Sequence, residues 1–250
     1  MQVEKMYIEA DTLSTRINLH EKYSVNKYGF GNWIFDMYDF QPGMTVLEIG
    51  CGTASGWRKK NLPEKVEIIL SDFSPLMLQK ARDSLRGEAV FSFAQLDAQN
   101  IPYPNADFDA IIANHMLYHV PDKNKSLSEI RRVLKPGGRF FASTLGENSM
   151  KELGDIYQKL EGSATFSYAK NITFTLENGA NLLGEFFCTV EKHEYVDSLE
   201  VTNIDDLIAY IKSYNDVPDS VEDELYRLVS EGFVGGVSKI RKEQGLFICK

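Results

Sequence analysis

The stretch Val46-Leu47-Glu48-Ile49-Gly50-Cys51-Gly52-Thr53-Ala54 narrows the choice of fold more than any other part of the chain. Thr45, Val46, Leu47 and Ile49 read as a buried strand, and the chain then enters a turn in which two glycines flank one small residue. Glycine permits the backbone angles of a tight strand-to-helix turn and lets a ligand approach the main chain closely. Glu48 sits inside the apolar run, where an acid is costly to bury without a partner. A cationic ligand amine, or backbone donors beside a ligand, would provide one. The turn therefore reads as a cofactor cradle, against the plainer alternative of a structural connection.

Spacing separates this turn from two phosphate-binding loops. A dinucleotide fingerprint runs G-x-G-x-x-G/A, and Ser55 stands at its third small position. No Gly-Lys-Ser/Thr run follows, so a P-loop is excluded. The pattern present is E-x-G-x-G-x-A, with Gly56 close enough to share the turn. A second strand over 66–72 ends in Asp72, 20 residues after Gly52. A ribose-binding carboxylate falls at about that distance, where it can accept from two vicinal hydroxyls. Ser74 suits an N-cap and Pro75 the first helical position, and Leu78, Ala81 and Leu85 form the buried face of the helix that follows. A third strand over 90–97 delivers Asp97-Ala98 to the same end of the sheet. Pro102 and Pro104 force a non-helical connector into a fourth strand over 110–113. Asn114-His115-Met116-Leu117-Tyr118-His119-Val120-Pro121-Asp122 follows it. His119 titrates near neutrality and could take a proton from a substrate.

These segments together resemble the class I S-adenosylmethionine-dependent methyltransferases, of the small-molecule, UbiE-like type. The first motif matches E/D-x-G-x-G-x-G except that Ala54 replaces the third glycine, a residue that keeps the space but not a positive φ. Asp72 to Leu78 is similar to the family's D-x-S-x-x-M-L segment. Asn114 to Asp122 is similar to its second cluster, with Tyr118 where many members carry a histidine. Arg132-Val133-Leu134-Lys135-Pro136-Gly137-Gly138-Arg139-Phe140 resembles the approach to its fifth strand. The likeness spans roughly residues 45–145. It implies S-adenosyl-L-methionine as cofactor, leaving as S-adenosyl-L-homocysteine. Glu48, Gly50, Cys51 and Gly52 would form the cradle, and Asp72 would hold the ribose. Phe73 and Met77 would lie beside the adenine, Asp97 and Ala98 would meet its amino group and ring nitrogen, and Asn114 and His115 would pass the methionine half. His119 is a candidate catalytic base, with packing under the pocket as the alternative. Members commonly fold an N-terminal helical segment over the cofactor. That points to Tyr23 or Tyr28 as a lid residue, to Tyr28 as a second catalytic candidate, and to Arg16 for the cofactor carboxylate. In-line attack on a sulfonium methyl asks chiefly for alignment, and for a base only where the nucleophile must lose a proton. No metal-ligand spacing is seen, and the chemistry needs no metal.

Alternating strand and helix patterns predict an α/β doubly wound sheet with its ligand at the strand carboxyl ends. The resemblance extends this to a mostly parallel, seven-stranded Rossmann-like sheet with an antiparallel last strand and a helical cover. Residues 1–44 are expected to form an N-terminal helical lid and 45–145 the cofactor-binding core. Residues 146–250 would complete the sheet, with substrate-cover insertions at 146–172 and 203–240, all within one domain. Helices are expected over 149–160, 175–187, 205–213 and 221–233, and strands over 190–201 and 246–249. Phe166, Tyr168, Tyr210 and Tyr214 are candidates to line an acceptor pocket, although packing is the commoner role for each, as it is for Trp33.

A net charge of −9, with no basic run longer than Arg58-Lys59-Lys60, argues against nucleic acid as a partner. Three scattered cysteines fit a reducing cytoplasm. No signal peptide is visible, and no apolar run reaches the length of about 18 residues that a membrane span needs. The absence of Asn-Pro-Pro-Tyr/Phe after strand four disfavours the planar nitrogens of DNA bases and glutamine, leaving a small-molecule acceptor. Two rivals stand beside this reading. One is an NAD(P)-dependent oxidoreductase, against which Ser55 and Glu48 speak. The other is a non-catalytic S-adenosylmethionine-binding protein, for which Ala54 is the one hint.

Overall fold

The computed structural model describes residues 10–160, 172–213 and 219–250. Helices α1 (Ala10–Tyr23) and α2 (Phe30–Tyr38) precede β1 (Thr45–Ile49), β2 (Glu67–Asp72), α3 (Pro75–Ser84), β3 (Phe91–Gln95) and β4 (Phe108–Asn114). Then come α4 (Lys123–Val133), β5 (Leu134–Leu145), α5 (Lys151–Lys159), α6 (Gly179–Gly184) and β6 (Val190–Val201). The chain closes with α7 (Ile204–Lys212), α8 (Glu222–Glu231) and β7 (Ser238–Cys249). Short 3-10 turns cover Ser55–Trp57, Leu117–His119 and Asp219–Val221.

The seven strands form one sheet in the order β3-β2-β1-β4-β5-β7-β6. The pairs β1/β2, β1/β4, β2/β3 and β4/β5 are parallel, while β7 runs antiparallel to β5. This is the doubly wound sheet that the sequence predicts. From β1 the chain winds outward through β2 and β3, and then returns to the other side of β1 with β4. Ligands in such sheets bind outside the carboxyl ends of the strands at that reversal.

The two-residue period of a strand sorts the core into two faces. Leu47, Ile49, Ile111 and Ala113 point to one cluster, which Leu127, Ile130 and Val133 of α4 and Leu183 of α6 cover. Val46, Ile68, Leu70, Ala110 and Ile112 point to the other, under Ile34 and Tyr38 of α2 and Leu78 and Ala81 of α3. Helix α3 begins as read, with Ser74 accepting from the Met77 N–H and Pro75 in the first turn.

Four local expectations are corrected. Ala54 does adopt a left-handed φ, at 54°, so the small side chain there did not forbid it. The helix expected over 175–187 is only Gly179–Gly184. Thr175 and Asn178 exchange side-chain-to-backbone hydrogen bonds that make a turn of the preceding residues. Strand β5 starts at Leu134, before the Pro-Gly-Gly expected to precede it. Leu134 pairs with Phe108 and Arg139 with Ala110, so the register shifts across that segment. The last strand is far longer than 246–249, reaching back to Ser238.

Two compact units are present, with boundaries inside β6 and β7. One comprises Phe30–Leu145, Thr173–Tyr195 and Gln244–Lys250, and the other Met1–Gly29, Gly146–Ile172 and Val196–Glu243. The second has its own core, in which Leu19 and Tyr23 meet Leu153, Tyr157, Leu207, Tyr210 and Leu225. Polar contacts also hold it. Arg16 donates to the hydroxyl and carbonyl of Ser213, and Lys22 and the Tyr23 hydroxyl both donate to Asp206. Among the described residues, no helix is long and apolar enough to cross a membrane.

Candidate functional site

The carboxyl ends of β1, β2 and β4 gather most of the residues singled out by sequence. In register, Glu48 lies beside Leu70 of β2 and Ile112 of β4. Two residues further along those strands, on the same face, are Asp72 and Asn114. Strand geometry alone therefore brings three polar side chains to one edge.

After β1 the turn is shaped by its glycines. Gly50 has φ +71°, and a Cβ there would stand 2.8 Å from the Met116 Cβ. Gly52 has φ +56° and would meet nothing within 4 Å, so its face is open to a ligand. The Cys51 N–H bonds the Ser71 carbonyl at 2.8 Å, and the Gly52 N–H bonds one Asp72 oxygen at 2.9 Å. The other Asp72 oxygen accepts the Ser74 N–H at 2.8 Å. Asp72 is thus fixed by two backbone donors and keeps lone pairs for more, since each carboxylate oxygen accepts about two hydrogen bonds. Phe73, next in sequence, leaves 67% of its surface exposed, which is unusual for a phenyl ring.

Glu48 is buried, with one oxygen accepting the Trp57 indole N–H at 2.5 Å and the other the Asn114 amide at 3.0 Å. Asn114 donates its second amide hydrogen to the Tyr38 hydroxyl at 2.8 Å. Burial pushes the Glu48 carboxyl up to about 7, the two N–H donors oppose this, and the Asp72 charge adds to it. Burial and the Glu48 charge also raise the Tyr38 phenol, and burial raises the Cys51 thiol. The Asn114 carbonyl oxygen is buried and has no hydrogen-bond partner.

His115 holds a left-handed φ of 48°, with its N–H bonded to both the carbonyl and the hydroxyl of Ser143. Strained backbone of this kind concentrates at functional sites. Its ring packs 5.2 Å from Phe30, which also touches Trp33 and Tyr195. His119 lies in the following 3-10 turn, its ring edge-on to Tyr118. Burial lowers its pKa, and the Asp72 charge acts against that shift, which places the imidazole within reach of the site's field.

At the third strand, Asp97 accepts from the backbone and side chain of Gln99, and Ala98 is buried. Met77 is buried to 2% exposure. The other three residues singled out fall in the second unit, with partners there. Arg16 binds Ser213 and Tyr23 binds Asp206, while Tyr28 is largely exposed and its N–H bonds the Asn26 side chain. Tyr210 is fully buried beside His20. Phe166, Tyr168 and Tyr214 lie outside the described residues.

Sequence reasoning missed Trp57 and Tyr38. The signal was present for Trp57, because an acid inside a buried strand needs donors and an indole N–H stood nine residues away. Tyr38 had no such signal, since it reaches the network only through the fold.

Comparison with known proteins agrees with this geometry. Residues 47–142 match the family described as Methyltransferase domain. The ubiquinone/menaquinone biosynthesis C-methyltransferase UbiE of Vibrio cholerae is 34% identical over 122 residues, covering 47% of each chain. A malonyl-[acyl-carrier protein] O-methyltransferase of Serratia marcescens is 27% identical over 186 residues, covering 73% of this chain and 67% of that one. The chain thus spans about half the length of the first curated relatives it matches. Among solved structures, a methyltransferase-like protein of Bacillus halodurans aligns with a TM-score of 0.60 at 16% identity, over 88% of this chain and 97% of that one. These matches agree with the resemblance to the class I S-adenosylmethionine-dependent methyltransferases drawn from the motifs: residues 47–142 are similar to a methyltransferase domain, and the fold is similar to that of the solved structure.

The residues fit the cofactor of that class. The open face at Gly52 admits a ligand to the main chain, and Asp72 beside it has acceptor capacity left. The exposed Phe73 ring adjoins that carboxylate in sequence, and the unpartnered Asn114 oxygen requires a donor. Among the described residues, no cluster of three His, Cys, Asp or Glu side chains could hold a metal.

Proposed function

We propose that the chain is a methyltransferase that binds S-adenosylmethionine at the ends of β1, β2 and β4 and acts on a small-molecule acceptor. One observation carries the reading: the Gly50–Gly52 turn meets Asp72 at 2.9 Å at the point where the strand order reverses. The two named relatives support the acceptor class, one named for ubiquinone/menaquinone biosynthesis and one for a malonyl group on acyl-carrier protein. The net charge of −9 also fits a partner that is not nucleic acid.

When bound, S-adenosylmethionine supplies a methyl group activated by its sulfonium. Asp72 would hold the ribose hydroxyls, fixed for that purpose by the Gly52 and Ser74 amides. Phe73 would cover a face of the adenine. Asp97 and the backbone at Ala98 would meet the adenine edge, and Asn114 and His115 the methionine end. His119 is the candidate base. Its lowered pKa keeps the imidazole neutral at pH 7, with a ring nitrogen able to take the acceptor's proton. Arg16, Tyr23 and Tyr28 remain proposals for the cofactor's cover.

Acceptor-dependent formation of S-adenosylhomocysteine across a panel of small acceptors is the expected result. Firm cofactor affinity without turnover on any acceptor would favour the non-catalytic binding protein instead. For His119→Ala, lost turnover with retained cofactor affinity is expected; parallel loss of both would make the residue structural.

A further inference from the structure

We propose that Gln244, with the rings of Tyr195, Phe30 and Trp33, forms the site of the methyl acceptor, and that this site takes a flat molecule whose oxygen accepts a hydrogen bond from the Gln244 amide. That the occupant is a methyl acceptor rests on the function proposed above; the site itself does not.

Strand register brings these residues together. Thr189 and Lys250 each donate to the other's carbonyl, so β6 and β7 run antiparallel from that pair. Six residues along each strand (195 − 189 and 250 − 244), Tyr195 falls opposite Gln244, which puts their Cβ atoms about 5 Å apart. A Cβ added at Gly245 would stand 3.4 Å from the Glu194 Cα, as this register requires. On its other side Gln244 pairs with Leu145, at the end of β5. Along β7, Phe247 and Cys249 enter the core cluster beneath α4, and Leu246 the one beneath α2. Gln244, two residues from Leu246, therefore shares the α2 face. Asn114 is level with Ser143, and Ser143 with Leu246, so Gln244 lies two strands across from Asn114 on that face. Two strand spacings are about 10 Å. The rings lie on the same side: Tyr195 is 5.5 Å from Phe30 and 5.3 Å from Trp33, and Phe30 is 5.2 Å from His115. Phe30, Trp33 and His115 are half-buried.

Gln244 itself points to a ligand. It is 6% exposed, and its amide nitrogen is buried with no hydrogen-bond partner. A primary amide carries two N–H donors, and leaving them unserved is costly. Methionine would fill the same space without that cost. Neighbouring ring faces are only weak acceptors, so the rings do not answer the need. An oxygen on a bound molecule does. The rings then supply flat apolar surface beside one fixed polar group, which is the usual composition of a small-molecule site. The amide hydrogens present positive charge, so they favour a carbonyl or phenolate oxygen and disfavour an ammonium group at that end. The other end of the molecule then lies toward Phe30 and His115, on the side from which the methyl group would come.

Two measurements test this. The first is ligand-observed NMR titration of the full chain with acetophenone and with α-methylstyrene, which differ only in C=O against C=CH2. Wild type should bind the ketone roughly 2–10-fold more tightly than the alkene. That preference should vanish in Gln244→Met and in Gln244→Glu, whereas Phe30→Ala should weaken both probes alike. No preference in wild type, or a preference kept in either Gln244 variant, would overturn the proposal. The second uses the ligand-free protein, where Gln244→Met removes an unserved donor and should move the urea midpoint to higher denaturant. An equal or lower midpoint would show the amide already served and would also overturn the proposal. Cofactor binding separates the two readings. A ketone preference set by Gln244 in a protein that ignores S-adenosylmethionine would keep the site and remove the methyltransferase. Binding of S-adenosylmethionine with no ketone preference would do the reverse.

Discussion

Asn114 and Asp197 are polar side chains at strand positions, one in each unit, and their surroundings treat them in opposite ways. The Asp197 side chain is 1% exposed and fully served. Lys242 and the Ser24 hydroxyl donate to one oxygen, and the Asn26 and Ser198 N–H groups to the other. Burial alone would raise its pKa, but these donors hold the carboxyl below the usual range. The same network ties the segment after α1 to β6, where Ser24 bridges Leu199. Asn114, by contrast, has its donors engaged and its acceptor unpaired. A closed network fixes a scaffold, whereas an open one marks where a partner is missing.

The largest expected effect lies in the closed network. Lys242→Met leaves the Asp197 charge buried without its counter-ion and should cost roughly 3–5 kcal/mol in urea unfolding. A loss below about 1 kcal/mol would show that the network does not hold its unit together. Gly50→Ala comes next. The new Cβ would stand 2.8 Å from Met116 at a φ of +71°, for an expected loss of about 2–4 kcal/mol, measured in the same way.

Glu48 gives a pH signature. Its folded pKa is raised above the unfolded value, so the stability it contributes is full below the unfolded pKa and lost as pH rises toward 7. Glu48→Gln should therefore match wild type near pH 4 and exceed it by roughly 2–3 kcal/mol at pH 8. Parallel stability curves would contradict the buried, proton-holding carboxyl. The smallest effect is expected at Asp206→Ala. It removes the acceptor of Lys22 and Tyr23 at a partly exposed position, with a cost of about 1 kcal/mol by thermal unfolding.

The same contrast explains what was legible in the sequence. The sheet unit announces itself because its chemistry is local. Gly50, Gly52 and Asp72 keep a fixed spacing, Asn114 to His119 follow a strand end, and Ser74-Pro75 punctuates a helix start. The second unit is assembled from three separated stretches, and Arg16 meets Ser213 across 197 residues. No spacing rule reaches that far, so its aromatic and charged residues read equally well as lid, pocket or core. Ala54 was misread for a related reason. Propensity disfavours its φ, but a turn held at Gly50, Cys51 and Gly52 by β-strand and Asp72 contacts overrides one residue's preference. The short helix α6 and the early start of β5 were hidden because side-chain turns and register shifts leave no hydrophobic period.

The most direct measurement is a calorimetric titration of S-adenosylmethionine into wild-type and Asp72→Ala protein. Wild type should bind one equivalent, and the variant should bind roughly 5–150-fold more weakly, because ribose hydroxyls lose a charged acceptor. Folded wild-type protein giving no heat of binding at about millimolar ligand, or equal affinity in the two proteins, would contradict a nucleoside site at the ends of β1 and β2.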